Sequence, residues 1–312
     1  MVVPFLVFCK GGPSFLFFRS EGPWFLFSAE YDINRIMERQ GKDSQEGPRW
    51  IPPSELLGEA DRLFRSPAIQ TLRQDFLEII DRHRVPHAEN IRKTDAWLHY
   101  LYYCALVRRF VSDPAASIID WGGLYGHVTL ILRTLGFQKV HNYLLHRTPH
   151  YRIFQERFDI PTLWGREPDR LELDSASVRV FISSGVLEHV REDGLGREET
   201  SLREIYRVLR EKGLLFIWNL PAKLGTSELL ARMAGRWHHP YRYWRKDILR
   251  LLQGAGFAIV YEDRHKFFPG RVMQLLGRWG DPVGLMGFDH RLSRLFPFSL
   301  LARDFVFVCR KN

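Results

Sequence analysis

The sequence predicts an α/β fold, a doubly wound and mostly parallel sheet with an antiparallel last strand, preceded by an N-terminal helical cap. Three observations carry this expectation. From Ser117 to Tyr261, short apolar runs alternate with amphipathic helical spacings, and such alternation requires right-handed crossovers onto a parallel sheet. A glycine cluster, Gly122, Gly123 and Gly126, follows the first of those runs directly. Residues 304–312 carry Phe305-Val306-Phe307-Val308, which reads as a final strand joining the same sheet.

Residues 1–53 form a leader in which Phe5, Phe8, Phe15, Phe17, Phe18, Phe25 and Phe27 fall in bursts broken by Lys10, Gly11, Gly12, Pro13 and Arg19. This is unlike a secretory signal, which needs a basic start and one continuous apolar stretch. The leader is expected to be poorly ordered, with translation beginning at Met37. The helical cap, 54–114, follows from helical spacings at Leu56, Leu57, Ala60, Leu63 and Phe64, at Ile69, Leu72, Phe76, Ile79 and Ile80, and from Trp97 to Phe110. Asp113-Pro114 stops the last of these. The core, 115–263, opens with a buried strand over Ser117–Asp120, the glycine turn, and a helix from about His127 to Leu135.

Strand 139–145, helix 149–158, a weak strand near 162 and strand 178–183 come next. A helix over 201–211 is expected, because Ser201 and Glu204 have capping-box spacing and Gly213 supplies a stop. Strand 214–219, a helix on Trp244, Ile248, Leu251 and Leu252, and strand Phe257–Tyr261 complete the core. Residues 264–303 read as an insertion or lid, rich in aromatic and apolar residues among arginines, and 304–312 return to the sheet.

Composition bounds the function. The 312 residues are 45% hydrophobic, ample for one catalytic-sized domain with appendages. Cys9, Cys104 and Cys309 lie far apart without a Cys-x-x-Cys pair, so neither a disulfide framework nor a zinc site is suggested. A reducing, cytoplasmic setting is expected. The formal charge of +9 favours anionic partners. Because Arg and Lys are interspersed with Glu and Asp, no specific nucleic-acid partner is predicted. No apolar run approaches the ~20 residues of a spanning helix, though the insertion could touch a membrane surface peripherally.

Alone, Asp120-Trp-Gly-Gly-Leu-Tyr-Gly126 is a weak signal, since a tight strand-to-helix turn needs no ligand. It gains meaning from three later segments: Val180-Phe-Ile-Ser-Ser-Gly-Val-Leu-Glu-His-Val190, the run from Ser201 to Trp218, and Leu251-Leu-Gln-Gly-Ala-Gly-Phe257. Together these resemble the class I S-adenosylmethionine-dependent methyltransferases, in particular the small-molecule group with a "vLEHV" segment after the fourth strand. The likeness spans roughly 115–263 and implies a Rossmann-like sheet with S-adenosylmethionine as cofactor. It also implies cofactor binding by Asp120, Gly122, Gly123, Gly126, His146, Glu167 and Ser183. Leu124 stands where that family has its middle glycine, and Leu144-Leu145-His146-Arg147 lacks the usual ribose carboxylate. Arg166 falls near the customary acidic contact to adenine.

The resemblance makes His189 the candidate catalytic residue, since an imidazole accepts a hydroxyl proton at neutral pH. A cap for the loop is the competing role for Glu188 and His189. Quinone-type members of the family hold a divalent metal with Glu-x-x-Glu-His. Gly185 replaces the first carboxylate here, so no metal site is expected. Glu188, Tyr241, Arg242 and Tyr243 are the candidate substrate contacts, the last three from the His-His-Pro-Tyr-Arg-Tyr run between Trp237 and Trp244. Packing between cap and sheet is their alternative role. The expected substrate is a small or lipid-linked anionic acceptor, methylated at oxygen, because the Asn/Asp-Pro-Pro-Tyr pattern of amino-group methyltransferases is absent. An inactive binding module that keeps the sheet is the alternative. A nicotinamide-dependent dehydrogenase ranks last, since no acidic residue stands near 140–147.

Overall fold

A computed structural model describes residues 51–312, apart from His87, Leu195, Trp237, Arg278 and Trp279, together with two strands near the start of the chain. Those strands, β1 (Pro4–Cys9) and β2 (Gly12–Phe17), pair antiparallel within a separate unit, Met1–Gly47. The leader between β2 and residue 51, including the expected start at Met37, lies outside the described residues, whereas Ile51 is buried and Pro53 already belongs to the first described helix.

Pro48–Asn312 forms the second compact unit, so the boundaries expected at 114, 263 and 303 all fall inside one body. Its helices open with α1 (Pro53–Phe64), α2 (Pro67–His83), the short α3 (Glu89–Arg92) and α4 (Thr94–Phe110). Ser66 caps α2, its hydroxyl accepting from the Ile69 amide. In α4 a nearly continuous set from Trp97 to Val107 is buried, and a helix apolar on all sides is a core helix. The cap is therefore one wall of the main core. Phe76 of α2 is fully buried, 5.9 Å from Trp97 and 4.9 Å from Phe154 between ring centroids. A buried Phe of this kind contributes roughly 1.5–3 kcal/mol.

The sheet is built from β3 (Ser117–Trp121), β4 (Lys139–Leu144), β5 (Thr162–Trp164), β6 (Val178–Ser184), β7 (Leu209–Pro221), β8 (Phe257–His265) and β9 (Asp304–Lys311). Its order is β5-β4-β3-β6-β7-β9-β8. The pairs from β5 to β7 are parallel, and β9 runs antiparallel between β7 and β8. This is the Rossmann-like sheet with an antiparallel last strand. Period-two alternation divides the core: Ile118, Val180, Ile182, Phe216 and Val306 face the α1–α4 side, while Ile119, Phe181, Leu215, Ile217 and Phe305 face the other. Between strands lie α5 (His127–Thr134), α6 (Pro149–Phe158), α7 (Glu198–Val208), α8 (Thr226–Met233) and α9 (Arg245–Gly254).

Three local expectations are corrected. Helix α7 starts at Glu198 and ends at Val208, three residues early at both ends. Glu198 and Glu199 occupy its first turn, where carboxylates meet the positive helix end, and Ser201 is buried inside the helix instead of capping it. Burial of Leu202, Ile205 and Val208 on one stripe fixes this register. Gly213 is not a helix stop but sits within β7, where an added Cβ would lie 2.7 Å from the Arg210 carbonyl and Lys212 already takes a left-handed φ of 57°. The eight-residue α8, between Thr226 and Met233, has no counterpart in the sequence reading.

Strand β8 runs on to His265, two residues into the expected insertion, and the rest of that segment contains α10 (Gly270–Gly277) and α11 (Pro282–Arg294). Asp281 caps α11 through the Val283 and Gly284 amides. Leu275, Leu276, Phe288 and Phe296 are exposed on this segment. None of the described helices is long and apolar enough to cross a membrane.

Candidate functional site

The parallel strands reverse their winding about β3, with β4 on one side and β6 on the other. At such a switch point the connections leave in opposite directions and open a crevice at the carboxyl ends of the strands. The loop after β3 and the loop after β6 meet at this switch point. Gly122, Leu124 and Gly126 all take left-handed backbone, with φ of 66°, 47° and 77°. Leu124 thus adopts a conformation that costs an L-residue roughly 1–2 kcal/mol, and its side chain is 44% exposed. Gly123 contributes differently. A Cβ there would lie 2.4 Å from Asp120 Oδ2 and 2.6 Å from Asn142 Oδ1. At Gly122 the neighbour is Val186 of the opposite loop, 2.6 Å from the Cβ position, so the two loops approach closely.

Asp120 is fully buried beneath this loop. Its Oδ2 accepts from the Thr129 amide (3.1 Å) and hydroxyl (2.8 Å), pinning β3 to the first turn of α5. Burial pushes its carboxyl up to about 7, against the smaller opposing effect of those two hydrogen bonds. Its Oδ1 is buried without a hydrogen-bond partner. Past β4, His146 is exposed, and the Arg147 guanidinium lies 4.8 Å from the Trp164 ring centroid. Arg166 is 87% exposed with Glu172 at 3.3 Å, and Glu167 is exposed. Neither Leu124 nor Arg166 is buried. Ser183, at the end of β6, is buried with an unpartnered hydroxyl.

Beyond β6 the chain turns at Gly185 (φ 68°) into the 3-10 turn Leu187–His189. Glu188 is 2% exposed, and burial raises its carboxyl to about 8. Its Oε2 has no hydrogen-bond partner, while Oε1 stands 3.9 Å from His189 Nε2. His189 Nδ1 is held at 2.8 Å by Glu192 Oε1. Through the fold, His239 arrives on the same spot, its ring centroid 5.5 Å from that of His189. His239 is anchored twice by Glu228 of α8: its amide donates to Oε2 (2.9 Å) and its Nδ1 lies 3.0 Å from Oε1.

The end of β7 adds a second polar group that sequence reasoning missed. Asn219 has a φ of 56° and donates from Nδ2 to Ser184 Oγ at 3.1 Å. Its Oδ1 accepts from Lys266 Nζ and from the Tyr103 hydroxyl of α4. Lys266 pairs with Asp304 at 2.9 Å. Burial alone would raise Asp304, but Arg303 and Lys266 outweigh it and hold the carboxyl near 2. Asn219, Lys266 and Tyr103 come from β7, the β8 exit and α4, and nothing in their local sequence links them.

Tyr241, Arg242 and Tyr243 line a cavity of about 490 Å³, with Arg191, Glu198 and Arg203 also on its wall. Tyr243 is buried and its hydroxyl donates to Glu198 Oε1 at 2.8 Å, which ties this segment to the first turn of α7. Arg242 is half-buried, with Nε and Nη1 lacking hydrogen-bond partners.

No family model and no curated protein matches the chain. Among solved structures it is similar to the 1,6-didemethyltoxoflavin-N1-methyltransferase of Burkholderia thailandensis, determined with bound 1,6-didemethyltoxoflavin and S-adenosylhomocysteine. That likeness has 16% identity and a TM-score of 0.46, and covers 85% of this chain and 92% of that one. An S-adenosylmethionine-dependent methyltransferase from Archaeoglobus fulgidus is similar at 13% identity, covering 68% of this chain and 94% of that one, TM-score 0.45. One from Methanosarcina mazei is similar at 13% identity over 66% and 96%, TM-score 0.46.

Proposed function

We propose that this chain transfers a methyl group from S-adenosylmethionine to an oxygen of a small-molecule, glycan or lipid-linked acceptor. The observation that carries the reading is the switch point of the sheet, where a loop with three left-handed residues at 122–126 meets the loop bearing Glu188 and His189. The residues present fit the cofactor at most points. The loop backbone and the start of α5 suit the methionine and ribose portions, and the unpartnered Ser183 hydroxyl and Asp120 Oδ1 are polar atoms in need of a partner. At the end of β4, Arg147 packed on Trp164 stands in place of the ribose carboxylate. Charge-assisted hydrogen bonds contribute about 1.5–3 kcal/mol, so affinity is expected to be roughly tenfold to a hundredfold weaker than with a carboxylate there.

When bound, the cofactor supplies an electrophilic methyl group on its sulfonium, which leaves the protein to align a nucleophile and handle its proton. His189, oriented through Nδ1 by Glu192, presents Nε2 to receive that proton. Arg242, with two unpartnered nitrogens on the wall of the neighbouring cavity, suits an anionic group on the acceptor. Calorimetric titration with S-adenosylmethionine and S-adenosylhomocysteine tests the cofactor. Saturation at a hundred times Kd is expected to stabilise the fold by about 2.7 kcal/mol. Heat and stability unchanged with both compounds would refute the reading. Incubation with tritiated cofactor and fractionated host lipids, glycans and metabolites then identifies the acceptor.

A further inference from the structure

The geometry points to a divalent metal site formed by Glu188, His189 and His239, taking a first-row transition ion such as Zn2+. One donor atom from each of the three residues lies within 4.8 Å of the others. Donors around a tetrahedral ion at 2.0–2.2 Å are about 3.3–3.6 Å apart, so loading requires side-chain adjustments of only about 1 Å. The Glu188 Oε1 to His189 Nε2 separation is already 3.9 Å.

Two independent features distinguish this cluster from a chance grouping. Glu188 is 98% buried by its 2% exposure, and its Oε2 has no hydrogen-bond partner. A buried carboxyl oxygen left in that state has lost its water without gaining a partner, and a cation would supply one. Both imidazoles are also held at Nδ1 by a second carboxylate, His189 by Glu192 at 2.8 Å and His239 by Glu228 at 3.0 Å. That carboxylate-histidine arrangement fixes the tautomer and aims Nε2 at an ion. The His189 side chain is 36% exposed, leaving a solvent-side approach for a fourth ligand. With one carboxylate and two imidazoles the set suits Zn2+ or a neighbouring transition ion over Mg2+ or Ca2+, which prefer all-oxygen shells.

The third ligand comes from the segment after α8, fifty residues beyond His189. Only the tertiary structure supplies it, and it takes no part in any Glu-x-x-Glu-His pattern because Gly185 has no side chain to offer. The site goes beyond the methyl-transfer reading and does not depend on it. Where both hold, Glu188, His189 and His239 would hold the ion, which would lower the pKa of an acceptor hydroxyl bound at its open position. His189, as a ligand, would no longer receive the proton, which would leave to water on the exposed side of His189.

The test uses the full chain, stripped with chelator and titrated with Zn2+ by calorimetry and with Co2+ by visible absorption. One equivalent is expected, with Co2+ bands of low-symmetry, four- or five-coordinate nitrogen and oxygen ligation, displaced by Zn2+. Glu188→Gln and His239→Asn are expected to abolish the Co2+ bands. Glu228→Gln, which touches His239 but not the ion, is expected to weaken binding about 10–100-fold. His83→Ala, on the surface of α2, should change nothing. If His239→Asn is poorly folded by circular dichroism, Glu228→Gln decides the matter. Binding that survives these substitutions, or depends on His83, overturns the proposal, as does no binding at all. Since the readout contains no S-adenosylmethionine, its failure is separate from failure of the cofactor titration.

Discussion

Replacing Asp120 by Asn should change how stability depends on pH, and the size of the change follows from the burial of this one carboxyl. Its ordinary value near 3.8 is raised to about 7 in the folded chain. The folded state therefore keeps a proton that the unfolded state loses between about pH 4 and 7. With stability changing as 2.303RT times the difference in bound protons, the native protein loses ~1.4 kcal/mol per pH unit across that window. The contribution is complete below the unfolded value and gone above pH 7. Summed from pH 5 to pH 8, the loss is about 2–3 kcal/mol. Asn cannot titrate, yet its carbonyl can still accept from the Thr129 amide and hydroxyl.

Its amide group would meet the space now occupied by the unpartnered Oδ1, at a pH-independent cost of about 1–3 kcal/mol. Urea unfolding of both proteins from pH 5 to pH 8 is the measurement. Every other titrating group is shared, so the difference between the two curves isolates Asp120. It is expected to shift by roughly 2–3 kcal/mol in favour of the Asn variant as pH rises. Parallel curves would refute the argument, because they would mean the Thr129 hydrogen bonds keep Asp120 ionised throughout.

Gly126→Ala places a Cβ 2.5 Å from Ile160 Cδ1 at a φ of 77°. It is expected to cost at least ~1–2 kcal/mol and to weaken S-adenosylhomocysteine binding by calorimetry. Tyr243→Phe removes the hydroxyl 2.8 Å from buried Glu198; a loss of about 1.5–3 kcal/mol in chemical denaturation is expected, whereas a helix starting at Ser201 would leave Glu198 in solvent and predict almost none. Arg294→Met strips buried Asp263 of its guanidinium, leaving His265 at 2.9 Å as a remaining partner. A cost of about 3–5 kcal/mol is expected by thermal or urea unfolding. The exposed pair Arg152–Glu156 provides the contrast, and Arg152→Ala should leave the midpoint unchanged.

What the amino-acid order determined by itself is periodic. Alternation of two against 3.6 is a local property, so β3, β4, β6, α6 and α9 could be placed to within a residue or two. The glycines at 122 and 126 were equally legible, because a left-handed turn between strand and helix has few other solutions. Where two local signals competed, tertiary packing decided. Ser201-x-x-Glu204 has the spacing of a cap, but burying Leu202, Ile205 and Val208 against the sheet sets a helix that starts at Glu198. Leu124 looked like a break in the glycine loop, yet the surrounding contacts hold it in the left-handed region a glycine would occupy.

How the polar sites are completed belongs to the tertiary structure. Glu188 and His189 are sequence neighbours, but their third companion, His239, is delivered by the placement of α8 and its Glu228 anchor. Asn219, Lys266 and Tyr103 converge from three elements in the same way. Periodicity encodes which face of an element is buried. It carries no information about which side chains from distant elements will share one point in space, since that depends on strand order, and strand order is fixed by the long-range burial of both sheet faces.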